Sequence, residues 1–371
     1  MRQSPTILIT CGEASGDIHA ARLARELLRS YPGARIVAFG GQHLAEAGAT
    51  VLFHIEDYAI IGFSGVVTKF PRPMRLERGL KRILDEGVDL FVPVDYPGLN
   101  LRLAGYARKL GIPVLYYISP QVWAWGSGRT RRLAEAVDRM AVILPFEEAF
   151  FRKHGVPAEF VGHPLVEDHS LPEPFPQSER SGIGLLPGSR TSEVRRILPI
   201  LLRAAAEIRT HDPDIRFSVG RSPSVPKRIY EKIVSRGGID VDVEGKTHDI
   251  MARSKLLLVA SGTATLEGAL CETPLIIVYK MSALNFLIAR RLVTISTIGL
   301  VNIILDEKLC PEFIQANAKA EPIAREALAL LGDSQRRENM VERFKRLRVS
   351  LKGKGGCRRV AEMCEQILDR K

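Results

Sequence analysis

Cysteine is scarce. Five occur in 371 residues, Cys11, Cys271, Cys310, Cys357 and Cys364, scattered and without a C-x-x-C pair. An odd, dispersed set argues against both a disulfide framework and a zinc site, and fits a reducing cytoplasm. No apolar run approaches the roughly 18–20 residues that span a bilayer, so the chain is not expected to cross one. No basic segment followed by a long apolar core precedes the first strand, "TILITCGE", so no signal peptide is expected. The phosphate motif G-x-x-x-x-G-K-[ST] is missing, and "CGEASGD" has the wrong spacing for a G-x-G-x-x-G fingerprint.

What is present is an ordinary globular composition, 46% hydrophobic and 26% charged. At roughly 100–200 residues per domain the length suggests about two domains. The net charge of +11 suits phosphates of any kind, in nucleic acid, anionic lipid or phosphorylated small molecules. A merely soluble basic protein has the same charge.

The first half alternates buried-strand patterns ("TILIT", "RIVAFG", "DLFVPV", "PVLYYI", "RMAVILP") with helical ones such as "AARLARELLRSY" and "LRLAGYARKLG". This implies βα units and a mostly parallel sheet. The proline-rich "SLPEPFPQSER", residues 170–180, reads as a linker. Alternation then restarts with "GIGLLPGSR", "IRFSVG", "DVDVEG", "KLLLVASG" and "PLIIVYK". The expected organisation is a Rossmann-like domain over 1–169, the linker 170–180, a second such domain over 181–345, and a helical tail over 346–371 packing back on an N-terminal domain. Two doubly wound domains facing a cleft make that cleft the default active site, and ligands bind beyond the carboxyl ends of the strands.

Two turns in the second half suit a nucleoside diphosphate. Gly188, Ser189 and Arg190 follow a strand and precede a helix that Thr191 or Ser192 could cap. Glycine permits close approach, amides point outward, and Arg190 can grip a diphosphate. A well-capped βα turn would look the same. "VASGTATLEGAL" repeats the device with Ser261, Gly262 and Thr263. Glu267, a turn further on, could accept from two ribose hydroxyls, although most glutamates on helices are simply exposed. Asp240 and Asp242 alternate with Ile239, Val241 and Val243, a strand with one wet face, so no metal and no cofactor are assigned.

In the first half, Glu13, Ser15, Gly16, Asp17 and His19 lie at a strand–helix junction, where Asp17 could equally cap the helix. "FVPVDYPGLN" runs an apolar strand into Asp95, a turn former or a catalytic base. Gln121, Trp123 and Trp125 follow another strand end. Tryptophan is usually core, but here it also suits stacking against a sugar. Between 59 and 82 an apolar stretch containing Ile60, Ile61, Phe63, Val66 and Val67 precedes Lys69, Arg72, Arg75, Arg78, Lys81 and Arg82. A solvated helix face with an inner stripe explains this, as does a surface that dips into lipid and grips anionic headgroups.

"GEASGD", "SPQVWAW", "LPFE", "GHPLVE", "LPGSR" and "ASGTATLE", in this order over residues 7–315, resemble the lipid-A-disaccharide synthases, family 19 glycosyltransferases. The resemblance implies the two-domain GT-B fold. It implies transfer of a diacylglucosaminyl group from UDP-2,3-diacylglucosamine to the 6-hydroxyl of 2,3-diacylglucosamine 1-phosphate (lipid X), with inversion and release of UDP. It places the catalytic base on Asp95, the essential arginine on Arg190, a ribose contact on Glu267 and a nucleotide-side asparagine on Asn302. It also implies peripheral attachment to the cytoplasmic face of the inner membrane, which favours the lipid account of residues 59–82, and a homodimer with exchanged C-terminal segments. Members often carry "IDxPDFN"; here Gly98 and Leu99 replace the second Asp and the Phe. "GLVNIILDEKLCPEF" lacks the Pro expected before Asn302 and has Leu305-Asp306 where "AG" is common. A UDP-sugar 2-epimerase on the same fold is the competing enzyme. A nucleic-acid binder lacks any motif here, and a silent scaffold would not need Asp95, Arg190 and Glu267 intact.

Overall fold

The computed structural model describes residues 4–58, 72–125, 130–167, 171–282, 286 and 297–370, without the side chains of Arg72, Pro73 and Trp125. The chain divides into two units, one of residues 1–167 and 351–371, the other of 168–350.

In the first unit β1 (Thr6–Thr10), β2 (Arg35–Gly40), β3 (Thr50–His54) and β4 (Leu90–Pro93) form a parallel sheet in the order β3-β2-β1-β4. Bridges Phe91–Val114 and Val94–Tyr117 carry it on to β5 (Leu115–Tyr117), β6 (Arg139–Val142) and β7 (Ala158–Phe160). Side chains alternate across the sheet, as the pleat requires. Ile7, Ile9, Leu90 and Val92 enter one core. Leu8, Val37, Phe39 and Phe91 enter the other. Burial on both faces is why these strands read as continuous apolar runs rather than alternating ones. Helices Arg72–Asp85 and Pro97–Lys109 cover the second face through Leu76, Leu80, Leu84, Leu103 and Ala107.

The first face is covered by helix Ala14–Ser30 and by the last helix, Gly356–Leu368, through Val360, Met363, Cys364 and Leu368. Each such fully buried large side chain contributes about 1.5–3 kcal/mol. The "LKGKGG" run lets this helix reach its seat. A Cβ on Gly353 would lie 2.1 Å from the Gly162 nitrogen. Gly356, at φ +47°, leaves room for the carboxylate of Glu167, which takes a hydrogen bond from the Cys357 backbone. The "GHPLVE" segment thus anchors the C-terminal helix by accepting at its amino end.

The second unit is a six-stranded parallel sheet in the order β10-β9-β8-β11-β12-β13, with β8 Ile183–Leu186, β9 Phe217–Gly220, β10 Asp242–Glu244, β11 Leu256–Ala260, β12 Leu275–Tyr279 and β13 Glu312–Ile314. Arg180, at the end of the proline-rich segment, is buried in this unit. It donates to the carbonyls of Phe175 and Cys271 (3.0 and 2.8 Å) and to the Thr273 hydroxyl. Among the described residues no helix is long and apolar enough to cross a membrane.

Candidate active site

Strand order reverses between β1 and β4 in the first unit and between β8 and β11 in the second. The carboxyl ends at these two switch points are where open α/β sheets bind ligands. The segments Gly12–Asp17 and Asp95–Asn100 follow β1 and β4. Gly188–Arg190 and Ser261–Thr263 follow β8 and β11.

Asp95 and Tyr96 both adopt left-handed backbone, φ +47° and +49°, a costly state for non-glycine residues that persists only when the surroundings hold it. Here they do. The Asn100 amide donates to the Asp95 carbonyl at 2.7 Å and its oxygen accepts from the Thr10 hydroxyl at 2.7 Å. The Tyr116 hydroxyl donates to the same Asp95 carbonyl at 2.7 Å, and the Asp95 N–H donates to Tyr117 at 3.0 Å. The backbone is clamped and the carboxylate is left for chemistry. Burial raises its pKa to about 6, the charge of Glu13 adds to the rise, and a Tyr96 N–H pulls the other way. A carboxylate so placed stays ionised near neutrality yet is more basic than a free aspartate.

Glycine at position 12 follows from Tyr96. A Cβ there would lie 2.2 Å from Cγ of the Tyr96 ring. Gly12→Ala is therefore expected to push Tyr96, and Asp95 with it, out of position. The expected result is a stability loss of about 1–3 kcal/mol. Thermal unfolding measures it, and a wild-type melting temperature would refute the steric account.

The other residues of this junction separate into two kinds. Glu13 and Ser15 are exposed at the start of the helix. Asp17 is buried and does not cap its own helix. It accepts from the Gly41 and His43 amides at 2.7 and 3.0 Å, tying the helix to the β2 turn. Gly16 is buried against Cys11. Burial, then Arg22, lower the pKa of His19 to about 4, so its ring is neutral, and its Nδ1 has no hydrogen-bond partner among the described residues. Gln121 is exposed. The Trp123 indole donates at 3.0 Å to Glu147, which also accepts from the Ser119 hydroxyl at 2.7 Å and the Leu144 N–H at 3.1 Å. Fully buried, Glu147 has its pKa raised to about 7 by desolvation against these donors. It joins "SPQVWAW" to "LPFE", holding Trp123 edge-on to Phe146 at 5.1 Å.

In the second unit Gly188 takes φ +107°, and Arg190, rather than Thr191 or Ser192, is the N-cap of helix Thr191–His211. Neither amide of the turn is free. Ser189 and Arg190 both donate to Glu193 Oε2, at 3.1 and 3.2 Å, and the Arg190 guanidinium meets Oε1 at 3.3 Å. An exposed pair of this kind is worth about 0–1 kcal/mol, so a diphosphate can displace it. At the other turn, Ser261 donates to the Ile298 carbonyl at 2.9 Å, while Gly262 and Thr263 are exposed. Glu267 stands 3.7 Å from His248 Nε2 and raises that histidine's pKa.

Asn302 is buried. Its amide donates to the Cys310 carbonyl and to Glu312 at 2.8 and 2.9 Å, and its oxygen accepts from Cys310 N–H at 2.9 Å. Its side chain is fully engaged in shaping the loop, with Glu312 accepting from the Ile298 and Gly299 amides at 2.9 Å. Ile60, Ile61, Phe63, Val66, Val67 and Lys69, with the side chain of Arg72, lie outside the described residues. Arg75 and Arg78 are exposed on a helix whose buried stripe is Leu76, Leu80 and Leu84.

Sequence inspection did not single out Asn100, Glu147, Glu193 or His248. Asn100 and Glu147 were signalled by the strings "FVPVDYPGLN" and "LPFE" that contain them. Glu193 had a capping-box signal, three residues past the cap. His248 had none, because only folding brings it to Glu267.

Two parallel Rossmann-like sheets, with small residues and an arginine at one switch point and a basic carboxylate at the other, define a GT-B protein. Solved structures agree on the fold. The UDP-GlcNAc 2-epimerase of Neisseria meningitidis superposes with TM-score 0.62 at 12% identity, covering 99% of this chain and 100% of that one. The calicheamicin glycosyltransferase CalG4 gives 0.62 at 17%, covering 100% and 99%. A family model described as lipid-A-disaccharide synthetase matches residues 7–367. The lipid-A-disaccharide synthase of Anaeromyxobacter dehalogenans is 42% identical over 97% of both chains. That of Nitrosococcus oceani is 39% identical over 99% of this chain and 97% of its own. The chain belongs to the lipid-A-disaccharide synthase family, glycosyltransferases of lipid A biosynthesis.

Proposed function

We propose that the chain condenses UDP-2,3-diacylglucosamine with 2,3-diacylglucosamine 1-phosphate to give the β-1,6-linked disaccharide 1-phosphate and UDP, with inversion at the anomeric carbon. The observation that carries this is Asp95, a clamped and desolvated carboxylate of raised basicity at the end of β4. Asp95 takes the proton from the acceptor 6-hydroxyl as that oxygen bonds to the anomeric carbon. The bond from that carbon to the diphosphate breaks, and its electron pair leaves on UDP. Arg190 and the turn amides meet the charge that develops there. Glu267 accepts from the ribose hydroxyls, and Trp123 packs on a sugar. Asn302 acts by holding the loop that Ser261 contacts.

The lipid substrates place the enzyme at the cytoplasmic face of the inner membrane as a peripheral protein, with residues 59–82 as one contact. A homodimer exchanging C-terminal segments would seat the partner's last helix where this chain's own helix packs.

The test is UDP release from the donor in detergent micelles, with and without acceptor. Release that requires acceptor supports the transferase. Turnover of donor alone would indicate an epimerase. The pH profile adds a second check. Because the pKa of Asp95 is raised to about 6, the base is protonated below that pH, and kcat/KM should fall about tenfold per unit on the acid side. A limb near pH 4 would mean that the carboxylate in the free enzyme is solvated.

A further inference from the structure

The second unit carries a groove of about 860 Å³ between helices Thr191–His211 and Lys227–Val234. Two stripes line it. Arg195, Pro199, Leu202 and Arg203 recur along the first helix, and Arg228, Ile229, Lys232 and Ile233 along the second, with Arg236 just beyond. Leu202 is buried and Pro199, Ile229 and Ile233 are half-buried, so the floor is apolar, while all five cations are exposed. No carboxylate lines the groove. Among the described residues Arg195, Arg228, Lys232 and Arg236 form no salt bridge, whereas the neighbouring Lys227 pairs with Glu231. Among the described residues Arg203 meets the Pro199 carbonyl alone, at 3.2 Å.

Five like charges converging on an apolar floor repel one another, and the arrangement is relieved by an anion. The groove contains none of the aromatic platforms on which single-stranded nucleic acid stacks. It is too wide and too apolar for a lone phosphate, which is held by converging backbone amides. Cations over aliphatic side chains match a surface where phosphates lie above hydrocarbon.

We propose that this groove is a bilayer-docking site that seats the headgroup of an anionic phospholipid. The proposal rests on the reading that the substrates are drawn from a membrane, and it places a membrane contact on the second unit, in addition to the one proposed for residues 59–82. The Lys227–Val234 helix is then a foot whose cations lie among lipid phosphates, with Ile229 and Ile233 flooring the groove beneath the seated headgroup.

The test is co-sedimentation of the full chain with phosphatidylcholine vesicles, with and without phosphatidylglycerol, for the wild type and the triple variant R228E/K232E/R236E. The wild type should prefer anionic vesicles, and the variant should bind them roughly a hundredfold more weakly, from the worth of each basic residue at an anionic surface. Its turnover of micellar donor and acceptor should match the wild type, showing that fold and catalysis are intact. Unchanged vesicle binding in the variant overturns the proposal. So do equal binding to neutral vesicles, a parallel loss of micellar turnover, and preferential capture by single-stranded RNA. Wild-type vesicle binding without turnover of the lipid substrates would leave the groove standing and remove the substrate assignment.

Discussion

Asp95→Asn should lower acceptor-dependent UDP release by roughly 10²–10⁴-fold, the range supplied by a positioned general base. Asparagine keeps the size of the side chain and its tolerance of left-handed backbone, so the clamp from Asn100 and Tyr116 should survive. Those bonds go to the Asp95 carbonyl, not to the carboxylate. The variant should therefore fold and bind UDP as the wild type does. Loss of turnover with intact UDP affinity is the expected signature, and the acid limb near pH 6 should disappear from the residual rate. Near wild-type turnover would move the base elsewhere, with Glu13 the nearest candidate by its effect on Asp95. A variant that loses UDP affinity as well would show that the two carboxyl oxygens hold structure rather than take a proton.

Arg190→Ala should reduce kcat/KM by about 10²–10³-fold, as expected when one donor to the charged leaving group is removed. Arg190→Lys should recover only part of that, because an ammonium keeps the charge but not the planar fork that matches two phosphate oxygens. The free-state cost of either change is small. Arg190 is exposed and, among the described residues, pairs with Glu193, three residues on. Unfolding temperature should hardly move while UDP affinity and rate both fall, which separates this residue from Asp95. An Arg190→Ala enzyme with wild-type kcat/KM would remove the diphosphate role.

The two turns of the second unit were legible without coordinates because their parts are local. "LPGSR" and "ASGTATLE" each combine a buried strand end, small residues and a helix start within a dozen positions. The strands of both sheets were readable for the same reason, since burial on two faces writes unbroken apolar runs. Strands β3, β7 and β13 were not singled out. Their sequences, TVLFH, AEF and EFI, are short or mixed, and they lie at the sheet margins.

Roles that depend on distant partners were harder to read. Asp17 looked like a cap or a ligand, and it is a tie to two amides 24 and 26 residues away. Asn302 looked like a nucleotide contact, and its amide is engaged by Cys310 and Glu312. Helix capping at Arg190 rather than Thr191 differs by one residue, because Glu193 folds back over the turn and draws both amides to itself.

The sequence by itself determined two parallel α/β units, a basic protein, the family, and the identity of the residues in the key turns. Periodicity and composition report whether a residue will be buried and which bend the backbone can make, and both are properties of short windows. Tertiary structure alone decided that β8 and β11 are neighbours, so that two phosphate-suited turns share one switch point. It decided that the tail clusters with its own chain's first unit, residues 351–371 with 1–167. It also decided that the Asp95 carboxyl is pushed up to about 6 rather than titrating as an ordinary turn aspartate. Desolvation and the field of Glu13 set that basicity, and both arise only when segments some eighty residues apart pack together.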